Sequence, residues 1–321
     1  MRIPVESAHV SDPIVVPERL IQTNARGRGE AGRAWTERMP AIVSDCAARW
    51  GLTIEGHYPG LAINYAVRVR LADGQAAVLK AGFPGEELAR ELFTLRAFDG
   101  DGAVRVLAAD EPNGALLLER LEPGTLLASE PDDEKATAVA AGLLRRLNRP
   151  VAPGHPLPTH AERVALAAAQ SRADMARRGE REPAWLARAL AVHAELIADH
   201  PPQLLLHGDF HHLNVLAAER EPWLAIDPHG AVGEPGDEVG PWLENRAERW
   251  PRGDAAARRH LVRLIAQLAA ALGVDAQRLT RLAFVRVALS EMWTLEGEGP
   301  NEPARFERNQ LRCLRLLASL V

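Results

Sequence analysis

No run in the 321 residues approaches the ~18 consecutive apolar positions that a membrane-spanning helix needs. The longest candidate, around Leu264 to Val274, is interrupted by Gln267. The opening Met1-Arg-Ile-Pro-Val-Glu6 lacks a charged start followed by an apolar core, so no secretory signal is expected and cytoplasmic residence is. Cysteine is scarce. Cys46 and Cys313 stand at opposite ends of the chain, which excludes a disulfide framework and suits unpaired thiols in a reducing compartment. There is no basic excess either: 38 Lys and Arg against 43 Asp and Glu leave a net charge of −5. A nucleic-acid partner, which calls for a basic stripe, is therefore not expected, whereas a cationic small molecule is compatible. Internal repeats and low-complexity segments are also lacking. What remains is an Ala-, Leu- and Arg-rich globular composition, long enough for two lobes.

The chemistry concentrates in one stretch. Leu204 to Leu206, Val215-Leu216 and Leu224 to Ile226 are short apolar runs that read as buried strands. The loops and strand ends beside them carry His207, Asp209, Asn214 and Asp227. Asp209 lies five positions before Asn214 and eighteen before Asp227. In protein kinases an Asp followed five residues later by Asn forms the catalytic loop, and a later Asp holds the metal. On that pattern Asp209 orients an acceptor hydroxyl, and His207 braces the loop by hydrogen bonds. Asn214 and Asp227 offer hard oxygens to magnesium, which needs few protein ligands because it keeps waters and phosphate oxygens. A second chemistry is open to the same stretch: His207, Asp209, His211 and His212 are spaced closely enough for a zinc-bound hydrolase site. Zinc would leave Asn214 and Asp227 without a task.

Gly208 stands where the protein-kinase loop has Arg, and Asp227-Pro-His-Gly230 where it has Asp-Phe-Gly. With these features, His207 to Asn214 resembles the aminoglycoside phosphotransferase branch of the kinase-like fold. Taken with Asp227-Pro228, Gly233 and Glu238-Val-Gly-Pro241, it is similar to the streptomycin 6-phosphotransferase group, the aminoglycoside/hydroxyurea resistance kinases. The resemblance implies an α+β, protein-kinase-like two-lobe fold. A small N-terminal lobe (1–120) would hold an antiparallel sheet and one main helix, and a larger, mostly helical C-terminal lobe (121–321) the catalytic loop and acceptor pocket. It also implies ATP and Mg2+ as cofactors, and transfer of phosphoryl to a hydroxyl of a small, cationic acceptor such as streptomycin.

Read in order, residues 1 to about 50 form a helical lead-in. Gly27-Arg-Gly29 reads as a turn, and Pro40 as a break within a helix from Arg33 to Trp50. Strands follow over Leu52–Tyr58, Ala66–Leu71 and Ala76–Lys80, the last two joined at Asp73-Gly74. The loop from Pro59 to Tyr65, with Asn64, lies where a kinase covers the nucleotide phosphates. Lys80 is similar to the strand-three lysine that touches the α- and β-phosphates. Its partner belongs on the next helix, about Pro84 to Phe98, where Glu87 and Glu91 share one side. The resemblance places the partner at Glu91.

Strands over Val104–Ala108 and Ala115–Leu118 flank a turn at Glu111 to Gly114. Leu116 to Gly124 then leaves the sheet. In the kinase-like fold this is the hinge, so the resemblance assigns main-chain contacts with the adenine edge to Glu119 and Leu121. Beyond it, helices are expected near 130–148, 160–179, 183–200, 237–249, 254–272, 276–296 and 303–320. A cationic acceptor needs carboxylates and flat surfaces. Glu238, Trp242, Glu244, Glu291 and Trp293 are the candidates. A non-catalytic nucleotide-binding relative would have lost one or more of Lys80, Asp209, Asn214 and Asp227. A protein kinase would need a longer segment between Asp227 and Glu238.

Overall fold

The computed structural model describes residues 14–58, 61, 63–297 and 304–321, with side chains up to 292 and from 310. Contacts divide the chain into two compact units. One runs to Leu126 and includes Leu216–Ile226; the other comprises Leu127–Val215 and Asp227–Val321.

The first unit begins with helix α1, Glu18–Trp50. The expected turn is a kink at a single residue: Gly29 alone inside the helix leaves helical geometry (φ 61°, ψ −140°). The helix also runs through Pro40 without the expected break. Trp35, Met39, Ile42, Val43 and Cys46 lie on both sides of the proline, and packing of this one stripe holds the helix continuous. Gly51 ends it in the left-handed conformation (φ 63°), donating to the Ala47 and Ala48 carbonyls.

Strands β1 (Thr53–His57), β2 (Tyr65–Arg70) and β3 (Ala76–Ala81) follow, then helix α2 (Glu86–Phe98) and strands β4 (Val106–Asp110) and β5 (Ala115–Glu119). They form one antiparallel sheet in the order β1-β2-β3-β5-β4. Because strand side chains alternate, the sheet has two unlike faces. Tyr65, Val67, Val69, Ala77, Leu79, Ala81 and Leu117 form one core with the buried stripe of α1. Ala66, Arg68, Val78 and Lys80 point to the opposite face. Strand β6 (Pro123–Leu126) leaves the sheet and pairs with β9 (Val215–Ala218), which is joined to β10 (Trp223–Ala225). Arg220, between β9 and β10, donates to both carboxylate oxygens of Glu119 and to the Gly100 and Ala103 carbonyls. Residues Leu216–Ile226 thus pack with the first unit, although the sequence division at 120/121 puts them in the second lobe.

The second unit contains α3 (Asp133–Leu147), β7 (Arg149–Pro150), α4 (His160–Arg178), α5 (Ala184–Ala198), β8 (Leu204–Leu206), β11 (Ala231–Gly233), α6 (Val239–Glu244), α7 (Asp254–Leu272), α8 (Ala276–Gly297) and α9 (Ala304–Ala318). Asp132 caps α3 by accepting from the Glu134 and Lys135 amides, and Thr159 with Glu162 forms a capping box on α4. Helix α8 packs against α4, α5, α6, α7 and α9. Its residues Leu279, Leu282, Phe284, Val285, Val287, Leu289 and Met292 are all buried, which suits a helix surrounded by others. The expected helix near 237–249 is shorter: α6 has six residues, with single turns at Pro235–Glu238 and Ala247–Arg249 beside it.

Met39 is fully buried between α1 and the sheet. Met39→Ala should lower the unfolding free energy by about 2–5 kcal/mol, seen as a lower denaturant midpoint with an unchanged m-value. A loss below about 0.5 kcal/mol would mean that α1 does not seal that face.

Candidate active site

The sequence around Asp209 folds locally as a pair of loops tied at their base. Strand β8 pairs antiparallel with β11, Leu206 facing Ala231. The chain leaving β8 and the chain entering β11 are therefore side by side, and Gly230 N–H donates to the His207 carbonyl at 2.9 Å. This brings the 207–214 loop next to His229 and Gly230, on the segment that follows Asp227.

Gly208 takes φ 82°, a left-handed value that favours glycine. A Cβ there would stand 3.1 Å from the Arg163 guanidinium and 3.1 Å from the Gly230 nitrogen. Its N–H donates to Glu238 Oε1 (2.9 Å), and its carbonyl accepts from Arg163 Nη1 (3.1 Å). A side chain at this position, such as the arginine of protein kinases, would press on the Arg163 guanidinium and on the Gly230 backbone.

Asp209 follows directly. Its N–H donates to His207 Nδ1 (3.3 Å), and its carbonyl accepts from Asn214 Nδ2 (3.0 Å). His211 Nε2 and His229 Nε2 lie 3.4 and 3.9 Å from Asp209 Oδ2. Burial opposes the charge on Asp209. The hydrogen bond from His211 and the positive charge of His211, His229 and Arg286 outweigh it and hold the carboxyl well below the usual range. Asp209 is thus an ionised acceptor at any working pH, suited to aligning a hydroxyl.

Asn214 is buried, and with its amide nitrogen committed to the Asp209 carbonyl, its amide oxygen is carried on the other branch. Asp227 has φ 56°, uncommon for a residue with a Cβ. An amide oxygen and a carboxylate are the hard donors magnesium prefers, so these residues fit that ion. They do not fit zinc among the histidines. His207 is buried with Nδ1 facing the Asp209 amide, His211 lies against the Asp209 carboxylate, and His212 stacks on Trp242 at 3.5 Å between ring centroids. Among the described residues, no group of three or more His, Cys, Asp or Glu side chains could hold a metal.

In the first unit, Lys80 Nζ lies 2.6 Å from Glu91 Oε1, and both side chains are buried. Glu87, the other candidate, pairs instead with Arg28 at 2.7 Å. Asn64 is half-buried; its Oδ1 stands 3.0 Å from where a Cβ on Gly82 would lie, and the preceding Ile63 carbonyl accepts from the buried Asn24 amide at 3.0 Å. Of the loop expected to cover phosphates, Pro59, Gly60 and Ala62 lie outside the described residues. Glu119 N–H is taken by the Arg105 carbonyl (2.9 Å), which removes it as a donor to a base. The main-chain N–H and C=O of Leu121 have no partner among the described residues.

A model of the aminoglycoside/hydroxyurea antibiotic resistance kinase family matches residues 49–297. The chain belongs to this family. Streptomycin 6-kinase of Streptomyces griseus is 41% identical over 294 residues, covering 89% of this chain and 92% of that protein. Hydroxyurea phosphotransferase of Kitasatospora aureofaciens is 37% identical over 287 residues, covering 88% and 81%. Among solved structures, a thermostable mutant of aminoglycoside phosphotransferase APH(4)-Ia in a ternary complex with ADP and hygromycin B matches with a TM-score of 0.55. It is 15% identical, covering 86% of this chain and 97% of that one, and at that identity the likeness shows the fold alone. The kinase-like α+β fold expected from the sequence is the fold of this protein, and this resistance kinase is a phosphotransferase with a hydroxyl acceptor.

Two of the residues expected at its acceptor are otherwise engaged. Trp242 is buried, with its indole N–H on Thr137 Oγ1 (3.2 Å) and its ring on His212, so it is packing beneath the loop. Glu238 is buried with one oxygen on the Gly208 amide, a brace for the loop rather than a wall of a pocket. Glu244 and Glu291 are also buried, and the Trp293 side chain lies outside the described residues. Sequence reasoning missed Arg163, His229 and Arg286. Arg163 and Arg286 sit within helices of an Arg-rich chain, where nothing local marks them; the His229 signal was its place two residues after Asp227.

Burial pushes the Glu244 carboxyl up from 4.5 to about 8, against the pull of Arg286 and hydrogen bonds from Ser290 and Gln310. Between those values the folded state binds the extra proton, so this group's stabilisation is full below pH 4.5 and is lost as pH rises through 8. Glu244→Gln mimics the protonated form. The variant should match wild type in Tm near pH 5, exceed it above pH 8, and flatten the decline between. Parallel Tm profiles by calorimetry would show that the carboxyl is ionised in the fold.

Proposed function

We propose that the chain transfers the γ-phosphoryl group of ATP to a hydroxyl of an aminoglycoside, streptomycin being the first candidate, and so confers resistance by O-phosphorylation. What supports the acceptor is the 41% identity to a streptomycin 6-kinase across 89% of the chain, combined with Asp209 held ionised beside the Asn214 amide. In this proposal the nucleotide-covering lobe is residues 1–120 and the catalytic lobe residues 121–321.

Phosphoryl transfer passes through a loose transition state whose charge lies on the equatorial oxygens, so positioning and cations matter more than a strong base. Asp209 aligns the acceptor hydroxyl and takes its proton late. Lys80, fixed by Glu91, meets the α- and β-phosphates. Asn214 and Asp227 would hold magnesium, which supplies charge neutralisation to the phosphates when bound. Asn64 belongs with the phosphate loop, and Leu121 offers its N–H and C=O to the adenine edge, with Glu119 restricted to its carbonyl. Glu291 is the carboxylate assigned to a cationic acceptor, and Glu244, whose carboxyl burial raises to about 8, would meet it as a neutral hydrogen-bonding group. The hydroxyurea phosphotransferase relative, 37% identical, makes hydroxyurea the second acceptor to try.

The test is ATP turnover with a panel of acceptors that includes streptomycin, other aminoglycosides and hydroxyurea, with the product position read by 31P NMR. Streptomycin phosphate is the expected product. Turnover of hydroxyurea alone would move the acceptor, and no turnover with any of them would end the proposal. Asp209→Ala should lower kcat by about 10²–10⁴-fold with ATP affinity little changed. In Asp227→Ala, calorimetry should detect no magnesium-dependent ATP binding. Unchanged MgATP affinity would remove Asp227 from the metal.

A further inference from the structure

We infer that Arg68 is a nucleobase-binding residue, its guanidinium lying flat on the base of the phosphoryl-donor nucleotide. The inference rests on the proposed placement of the nucleotide phosphates at Lys80. Strand register carries it. Lys80 faces Ala66 across β2 and Leu116 across β5, and two residues along, Val78 faces Arg68 and Leu118. Residues two apart share a face, so Arg68, Val78 and Lys80 lie on one side of the sheet, away from α1. The step from Lys80 to the Val78–Arg68 pair is about 7 Å along the strands. It runs toward Leu121, since β5 proceeds from Leu116 opposite Lys80, through Leu118 opposite Val78, to the end of the strand at Glu119. A nucleotide with its phosphates at Lys80 and its base edge at Leu121 lies along this strip.

Arginine chemistry on the strip is uneven. Arg70 and Arg120 share the Glu55 carboxylate, at 2.5 Å each, and Arg120 also reaches Glu122 at 3.1 Å. Arg68 has no carboxylate and no hydrogen-bond acceptor among the described residues, and its Nε is buried without a partner. Ala66 and Val78, its neighbours on the strip, are half-buried, and Gly56, opposite Arg68 on β1, adds no side chain. A half-buried planar cation beside small apolar side chains and Tyr58, with no carboxylate partner among the described residues, suits a flat π surface. A purine base supplies that surface.

The probes are ATP and ADP. In Arg68→Ala the KM for ATP and the Kd for ADP should both rise about 5- to 30-fold, by the same factor, with kcat within about two-fold of wild type. Arg68→Met, which keeps the apolar stem and lacks the guanidinium, should show the same loss and guards against a folding defect in the smaller variant. ATP and ADP affinities unchanged in both variants would overturn the inference. So would a loss confined to ATP that shrinks with added salt, the mark of a phosphate contact. Neither result would touch the phosphotransferase reading, which fails only if the unaltered protein shows no ATP-dependent turnover.

Discussion

The site depends on how Gly208 is held. Its N–H is fixed by a carboxylate from the segment before α6, its carbonyl by a guanidinium from α4, and its φ of 82° admits no side chain without strain. A buried hydrogen bond to a charged group contributes about 1.5–3 kcal/mol, and removing one partner strands the other. Two such bonds on one residue set the direction in which the chain enters Asp209. The Asp209 carbonyl is then tied to Asn214, so the aligning carboxylate and the magnesium-binding amide are set by one continuous run of backbone. Arg286, buried on α8, draws the carboxyls of Asp209, Glu238 and Glu244 downward, against the burial that raises those of Glu238 and Glu244.

Cation choice follows function along the chain. Lys80 and Lys135 are the only two lysines, against 36 arginines. Arginine therefore serves almost every structural ion pair, including the bidentate Arg220–Glu119 and Arg278–Glu234 contacts. At position 80 the compact ammonium can sit 2.6 Å from Glu91 in a buried place and still present further donors. A rigid fork would fix the geometry toward the carboxylate and leave less freedom for phosphate oxygens.

Much of this was legible because period and punctuation are local. The alternation over Tyr65–Arg70 and Ala76–Ala81, the Asp73-Gly74 turn and the apolar stripe of α2 each give an element that the structure contains. The Lys80 partner was narrowed to two glutamates by helical spacing, and only packing shows Glu87 drawn away by Arg28. Other features are not local. Whether Trp242 faces a ligand or a neighbour depends on Thr137 and His212, from distant parts of the chain. Arg163 supports Gly208 from 45 residues away, and no spacing rule reaches that far. Leu216–Ile226 joins the first unit through Arg220 and the bridge between Ala103 and Ala225, contacts invisible to a linear division. Pro40 shows tertiary burial overriding a local breaker.

Helix α1 lies almost wholly outside the residues that the family model matches, which begin at 49. Yet it supplies half of the core on one side of the sheet, and its Asn24 amide anchors Ile63, next to Asn64. A protein trimmed to residues 49–297 would keep Lys80, Asp209, Asn214 and Asp227 and lose the lid on Tyr65, Val67, Val69 and Leu79. Such a fragment would present a bare apolar sheet to water, and its natural fate is self-association. For this chain, the span of the family model and that of a stable folding unit are different lines.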